Sequence, residues 1–315
     1  MLWFFSFLGL LLLVISGDFL VRGAIELSSR LRISALLVSL TIVAFGTSAP
    51  ELIVAIKATL SGAPGLAMGN VVGSNIANIL LVLGLPILLV RLQNDIADTR
   101  RSFVFMIFAS VLFVFLGTSG SFSWPYGVVL LSLLIFILAD SFRQGRKNVE
   151  NYENKSGKLK SWSSIIFFLL LGILGLPLGA DILVKNASLL AHDYGISDAI
   201  IGLTLVAIGT SLPELATTFV AVMRKKADVV LGNLIGSNIF NLLAIIGITS
   251  LISPVPVDPT FISFDFWVML GASFIITPFI FLNIQFNRFS GFIFTMLYGS
   301  YCLLYTSPSP RDQRG

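Results

Sequence analysis

Long apolar runs separated by short polar breaks dominate the chain. Ten of them have the roughly 17–25 residues that a helix needs to cross a bilayer. They cover residues 2–29, 34–60, 66–90, 102–117, 124–142, 162–191, 199–223, 229–252, 265–283 and 288–305. The one sizeable polar stretch, 143–161, holds Arg143, Arg146, Lys147, Lys155, Lys158 and Lys160 and divides the runs into two sets of five. It reads as a solvated linker. The run from Leu2 to Ile15 has no basic region before it and no small-residue cleavage site after it, so it reads as a first membrane helix rather than a signal peptide. Composition agrees with this pattern. The chain is 56% hydrophobic and 11% charged, against about 25% charged in soluble domains. Its mean hydropathy is +0.95. A soluble globule of 315 residues has no interior large enough for so much apolar surface.

The net charge of +4 does not signal nucleic acid, because the basic residues fall between the spans. Arg30, Arg32, Arg91, Arg100, Arg101, the six of the linker, Arg224, Lys225, Lys226 and Arg288 all lie on alternate connections. The opposite connections, near 61–65, 118–123, 192–198 and 253–264, carry no Lys or Arg. The positive-inside rule then puts the N-terminus outside and the linker in the cytoplasm, in the plasma membrane (for a prokaryote, the inner membrane). Five spans per set is an odd number, so the second set enters the membrane upside down. The expectation is ten transmembrane helices in two inverted five-helix repeats, with helices 2 and 7 broken. Residues 1–142 form the first repeat, 143–161 the linker and 162–305 the second repeat. Residues 306–315 form a tail to which no function is assigned. From Cys302 onward the composition turns abruptly to Ser, Pro and Arg.

The case for duplication rests on polar residues inside the apolar runs. Ala44-Phe-Gly-Thr-Ser-Ala-Pro-Glu51 returns as Ala207-Ile-Gly-Thr-Ser-Leu-Pro-Glu214, 163 residues later. Gly69-Asn-Val-Val-Gly-Ser-Asn-Ile-Ala-Asn78 returns as Gly232-Asn-Leu-Ile-Gly-Ser-Asn-Ile-Phe-Asn241 at the same offset. Upstream, Asp18/Asp181, Val21/Val184, Arg22/Lys185, Ser34/Ser197 and Thr41/Thr204 keep that offset too. Ionisable groups at membrane depth are costly and usually functional, and inverted repeats place such groups together near the midplane.

Pro50 lacks an amide hydrogen and clashes with the carbonyl of Gly46, so the helix should break over Ala44 to Ser48 and expose carbonyl oxygens. Thr47 and Glu51 are spaced i, i+4 on one face, with Ser48 close by. Pro213, Gly209, Thr210, Ser211 and Glu214 repeat this arrangement. Carboxylate, hydroxyl and carbonyl oxygens suit hard cations such as Ca²⁺ or Na⁺. In the second element, Gly69/Gly73 and Gly232/Gly236 permit close helix approach. Ser74 and Asn78, like Ser237 and Asn241, are again i, i+4 and are placed to complete a cation shell. Asn75 and Asn238 fall on another face and suit helix–helix hydrogen bonds. Asn70 and Asn233, near helix starts, suit capping. Lys57 suits snorkelling to the surface, and the only histidine, His192, suits a surface loop. The chain carries one cysteine, Cys302, which excludes an internal disulfide framework. No phosphate-binding loop appears, so an ATP-driven pump is not supported. The near-symmetric halves, with no nucleophile or pore loop, also argue against an intramembrane enzyme and against a channel.

At these residues the chain resembles the sodium/calcium exchanger branch of the cation/Ca²⁺ antiporter superfamily, its small prokaryotic members above all. The resemblance covers both repeats. It implies antiport of Ca²⁺ against Na⁺ by alternating access, without a cofactor. Spans 1 and 6, long and placed equivalently in the two repeats, are the candidates for the moving pair. It implies Glu51 and Glu214 as central ligands. Thr47, Ser48, Thr210 and Ser211 would add oxygens, as would the carbonyls of Ala44 and Ala207, and Ser74, Asn78, Ser237 and Asn241 would complete the sites. One departure stands out: several members have Asp where this chain has Asn241, leaving two carboxylates. These balance one Ca²⁺, and the family's exchange of three Na⁺ for one Ca²⁺ would be electrogenic. The alternative is a Ca²⁺/H⁺ or Na⁺/H⁺ antiporter that carries H⁺ on the same glutamates, and a K⁺ requirement and the oligomeric state are left open.

Overall fold

The computed structural model describes residues 1–92, 99–147, 160–194, 207–282 and 284–306. Seven of its helical segments are long and apolar enough to cross a membrane: Leu2–Leu31, Pro64–Leu89, Thr99–Gly117, Trp124–Gly145, Trp162–Asp193, Ala227–Ile252 and Phe261–Phe281. An eighth span is broken, with Ala35–Thr47 and Ala49–Leu60 meeting at 43°. The described residues also include a shorter apolar helix, Leu212–Met223, and the helix Arg288–Thr306. The protein is therefore an all-helical, multi-pass membrane protein. The expected 199–223 run is described only from Ala207, and linker residues 148–159 and the tail from 307 also lie outside the described residues. The fifth helix continues to Lys147, beyond the expected boundary at 142.

Leu2–Leu31 and Trp162–Asp193 pack along each other more extensively than any other described pair. Their contacts run antiparallel. Gly9 meets Gly179 and Leu183, Gly175 meets Ser16, Gly172 meets Leu20 and Gly23 meets Leu169. The small residues let the backbones come close, and a Cβ on Gly9 would stand 2.6 Å from the Leu183 nitrogen. Glu26 and Lys160, 3.2 Å apart, close one end of this pair. The duplicated charges form the same i, i+4 ion pair in each helix, Arg22–Asp18 at 2.8 Å and Lys185–Asp181 at 2.7 Å. Arg224, just after Leu212–Met223, also donates to Asp18.

The remaining contacts come in matching pairs. Gly84–Leu89 lies on Arg288–Thr306, and Ile246–Ile252 lies on Trp124–Lys147. Leu92 bridges to Phe286, while Ser121 and Phe122 pair antiparallel with Pro256 and Val255. An 18-residue stretch of the Ala227–Ile252 span is wholly buried, and most of the matching stretch of Pro64–Leu89 is too. The flanking spans expose Phe, Leu, Ile and Val, as lipid-facing helices do. The Gly-Asn-x-x-Gly-Ser-Asn elements thus sit in the most enclosed helices.

Candidate functional site

Pro50 and Pro213 set the local geometry, since neither offers an N–H to the carbonyl four residues back. The chain leaves helical geometry at Ser48 (φ −87°, ψ 4°) and at Ser211 (φ −86°, ψ 3°). The first break falls at the end of the expected stretch, because Ala44–Thr47 keeps one helical turn. Glu51 and Glu214 each fall in the first turn of the helix that restarts, where the positive end of the helix dipole favours a carboxylate.

Three π-helical stretches adjoin these breaks. Ser39–Val43 precedes the first, Asn78–Leu83 begins at Asn78, and Phe240–Ile245 encloses Asn241. A π turn inserts a residue and re-aims side chains, and such turns concentrate at functional sites. The Glu51 helix packs on Phe240–Ile245, and the Glu214 helix packs on Asn78–Leu83. Each glutamate's helix therefore lies against the π turn bearing the other half's asparagine. Gly236 permits a second close approach, of Ala227–Ile239 to Ser39–Val43 and Ala44: a Cβ there would stand 2.4 Å from the Leu40 oxygen and 2.6 Å from the Ala44 Cβ.

Hydrogen bonds join the halves. The Ser48 hydroxyl donates to Glu214 Oε1 at 3.0 Å. The Thr47 hydroxyl lies 3.2 Å from the Ala44 carbonyl, 3.2 Å from Asn233 Oδ1 and 3.5 Å from the Ser237 hydroxyl. The Thr210 hydroxyl donates to Asn70 Oδ1 at 3.4 Å, which repeats the Thr47–Asn233 contact at the 163-residue offset. Asn78 Nδ2 donates to Asn238 Oδ1 at 3.4 Å. Among the candidate site residues, five buried oxygens have no hydrogen-bond partner: Glu51 Oε2, Glu214 Oε2, Asn78 Oδ1, Ser211 Oγ and Asn241 Oδ1. Both carboxylates are 1% exposed, and neither has a basic partner among the described residues. Buried acceptors left this way are expensive. No group of three or more His, Cys, Asp or Glu side chains forms among the described residues, so the chemistry is that of two carboxylates among hydroxyls and amides.

Ala44, Thr47, Ser48, Glu51, Ser74, Asn78, Ser211, Glu214, Ser237 and Asn241 are all buried. Thr210 is half-buried, and Ala207 begins the turn Ala207–Thr210. The Ala44 carbonyl accepts both the Ser48 N–H and the Thr47 hydroxyl in this conformation. Asn70 and Asn233 do not cap. Their helices start at Pro64 and Ala227, and their amides join spans instead, with Asn233 also donating to Thr218 at 3.3 Å. The clue to this role was their repetition beside Gly69 and Gly232. Asn238 makes the expected interhelical bonds, to Asn78 and to Met106 Sδ at 3.6 Å. Asn75 instead donates to the Val71 carbonyl of its own helix. The halves are also unequally enclosed. Thr47 and Asn233 are sealed, whereas their counterparts Thr210 and Asn70 are half-buried.

The chain matches the sodium/calcium exchanger protein family over residues 1–142 and 164–306. It is 39% identical to the inner membrane protein YrbG of Escherichia coli, across 85% of each chain. It is 31% identical to the sodium/calcium exchanger MaX1 of Methanosarcina acetivorans, over 94% of this chain and 96% of that one. Solved structures of the sodium-calcium exchanger NCX_Mj, including one soaked with Na⁺ and Sr²⁺, superpose with a TM-score of 0.82 at 31% identity and 97% coverage of both chains.

Proposed function

The chain belongs to the sodium/calcium exchanger family, and from that premise we propose that its buried oxygens bind Ca²⁺ and Na⁺ competitively and exchange them across the membrane. It is a cation/Ca²⁺ antiporter and not an enzyme. The observation that carries the assignment of the site is the set of five unpartnered buried oxygens around Glu51 and Glu214. A hard cation satisfies them all, since Ca²⁺ takes about 6–8 oxygen ligands. In this reading the ligands are Glu51, Glu214, Thr47, Ser48, Thr210, Ser211, Ser74, Asn78, Ser237 and Asn241, with the carbonyls of Ala44 and Ala207. Ala44 becomes available when the Thr47 hydroxyl turns towards the ion.

The proposed architecture is ten helices in two inverted repeats. Antiparallel packing of Leu2–Leu31 on Trp162–Asp193 supports it, as do the repeated Thr–Asn bonds and the paired bridges. Residues 1–142, 143–161 and 162–305 are then repeat, cytoplasmic linker and repeat. The one-sided distribution of Lys and Arg supports an outer N-terminus, with the protein in the inner membrane of a prokaryotic cell.

Desolvated carboxylates without a counter-ion oppose closure of the site, whereas cargo neutralises them. Exchange is therefore favoured over leak. The unequal enclosure of the two halves suits alternating access, in which inverted repeats trade conformations and the Leu2–Leu31/Trp162–Asp193 pair moves against the rest. Uptake of ⁴⁵Ca into proteoliposomes under imposed Na⁺, K⁺ or H⁺ gradients tests the coupling. Uptake driven by Na⁺ supports the reading, and uptake driven by H⁺ alone with Na⁺ absent overturns it in favour of a Ca²⁺/H⁺ antiporter.

A further inference from the structure

A pocket of about 330 Å³ lies away from the ion site, between three connections that carry the basic side of the charge asymmetry. Val90, Arg91, Gln285 and Lys225 line it. The antiparallel Leu92–Phe286 bridge, N–H to carbonyl at 3.1 Å, ties together the two connections that carry Arg91 and Gln285. Arg288 donates to the Leu89 carbonyl at 3.3 Å and braces the same wall. Neighbouring Arg224 is engaged by Asp18, whereas Arg91 and Lys225 have no ion-pair partner among the described residues.

Lys225 holds an unusual backbone. Its φ is +56°, a left-handed conformation that favours glycine. The duplicated turn has the same two hydrogen bonds: Gly62 N–H to Thr59 and Ala63 N–H to Ala58 match Lys225 N–H to Val222 and Lys226 N–H to Ala221. There the left-handed residue is Gly62, at φ +78°. The general need for cytoplasmic charge is met at any nearby position, so it does not account for a lysine at this one. At the constant offset the duplicate of Arg91 is Pro254 and that of Lys225 is Gly62, so neither cation is repeated at the equivalent corner. Around the basic pocket the surface turns apolar, with Leu89, Met223, Leu282 and Ile284 exposed.

We propose that Arg91, Lys225 and Gln285 bind the phosphate headgroup of an anionic phospholipid, with its acyl chains on the Leu89, Met223, Leu282 and Ile284 rim. Two cations and an amide donor suit a phosphodiester, and basic pockets at the cytoplasmic membrane surface bind such headgroups. The apolar rim favours a lipid over a free phosphate. The inference rests on the membrane placement of the fold and not on the identity of the transported ions.

The test is lipid retention, which needs no transport. The full-length protein is reconstituted in phosphatidylcholine with and without phosphatidylglycerol, extracted gently, and its retained phosphatidylglycerol read by native mass spectrometry. The variant Arg91→Gln/Lys225→Gly places glycine where the turn favours it, so the fold is kept. Two basic contacts at a membrane surface imply about a 30-fold loss of phosphatidylglycerol affinity in this variant. Lys226→Gln, which changes charge beside the pocket, should retain the lipid. Equal retention by the double variant overturns the proposal, as does equal loss in Lys226→Gln. Displacement of phosphatidylglycerol by inorganic phosphate at matched concentration overturns the lipid assignment.

Discussion

Replacing Gly236 by alanine adds one methyl group at the closest helix approach beside the ion site. A Cβ at this position would stand 2.4 Å from the Leu40 oxygen, 2.6 Å from the Ala44 Cβ and 2.9 Å from the Leu40 carbonyl carbon, where ordinary contact begins at 3.4 Å. The atoms in the way are backbone and a rigid methyl, so no flexible side chain yields. The Ala227–Ile239 helix or the Ser39–Val43 turn must therefore retreat by 1.0 Å, the shortfall at Leu40. That retreat carries Ala44 and Thr47 away from Ser237 and Asn233. Overpacking of this kind costs about 1–3 kcal/mol in stability, and a misplacement of about 1 Å in a positioned site costs about 100-fold in rate. We expect Gly236→Ala to lower Na⁺-driven ⁴⁵Ca uptake in proteoliposomes by about 10–100-fold at subsaturating Ca²⁺, normalised to reconstituted protein. Its unfolding midpoint in detergent, read by tryptophan fluorescence, should also fall. Gly271→Ala is the matched control, since no atom lies within 4 Å of the added Cβ. It should leave both measurements unchanged. Wild-type uptake in Gly236→Ala would refute the claim that this approach positions the site.

Ser48→Ala removes a hydrogen bond to a buried carboxylate, which is worth about 1.5–3 kcal/mol. The Ca²⁺ concentration for half-maximal uptake should rise about tenfold or more, and an unchanged value would remove Ser48 from the site. Exchange of three Na⁺ for one Ca²⁺ moves one net positive charge out per Ca²⁺ taken up, so an interior-positive potential set with K⁺ and valinomycin should speed uptake. Potential-independent uptake would exclude that stoichiometry. On a Cys302→Ser background, an impermeant maleimide should label Ser119→Cys in intact cells and Lys226→Cys only after the inner face is opened. The reverse pattern would invert the proposed topology.

The apolar runs and the duplicated polar register made the helical class, most span boundaries and the broken helix legible, because length and periodicity report directly on burial in lipid. Pro50 and Pro213 marked the breaks, because a missing N–H acts locally. The π turns at Ser39–Val43, Asn78–Leu83 and Phe240–Ile245 left no local signal; at the first of them the tertiary contact is visible, where Gly232 and Gly236 press on Ser39 and Leu40. Asn70 and Asn233 were misread as caps for a related reason: capping is a local preference, whereas their bonds to Thr210 and Thr47 cross between halves. The Arg224–Asp18 pair was equally hidden, because its partners lie 206 residues apart and Ser61 stands at the duplicated position of Arg224.

The central claim is that Glu51 and Glu214 belong to one shared site in which Ca²⁺ and Na⁺ compete. Na⁺-gradient-driven ⁴⁵Ca uptake in proteoliposomes of Glu51→Gln and Glu214→Gln tests it most directly, because the swap keeps shape and removes charge. Loss of uptake in each single variant, with folding intact, is the predicted result. Wild-type uptake in either variant would contradict it.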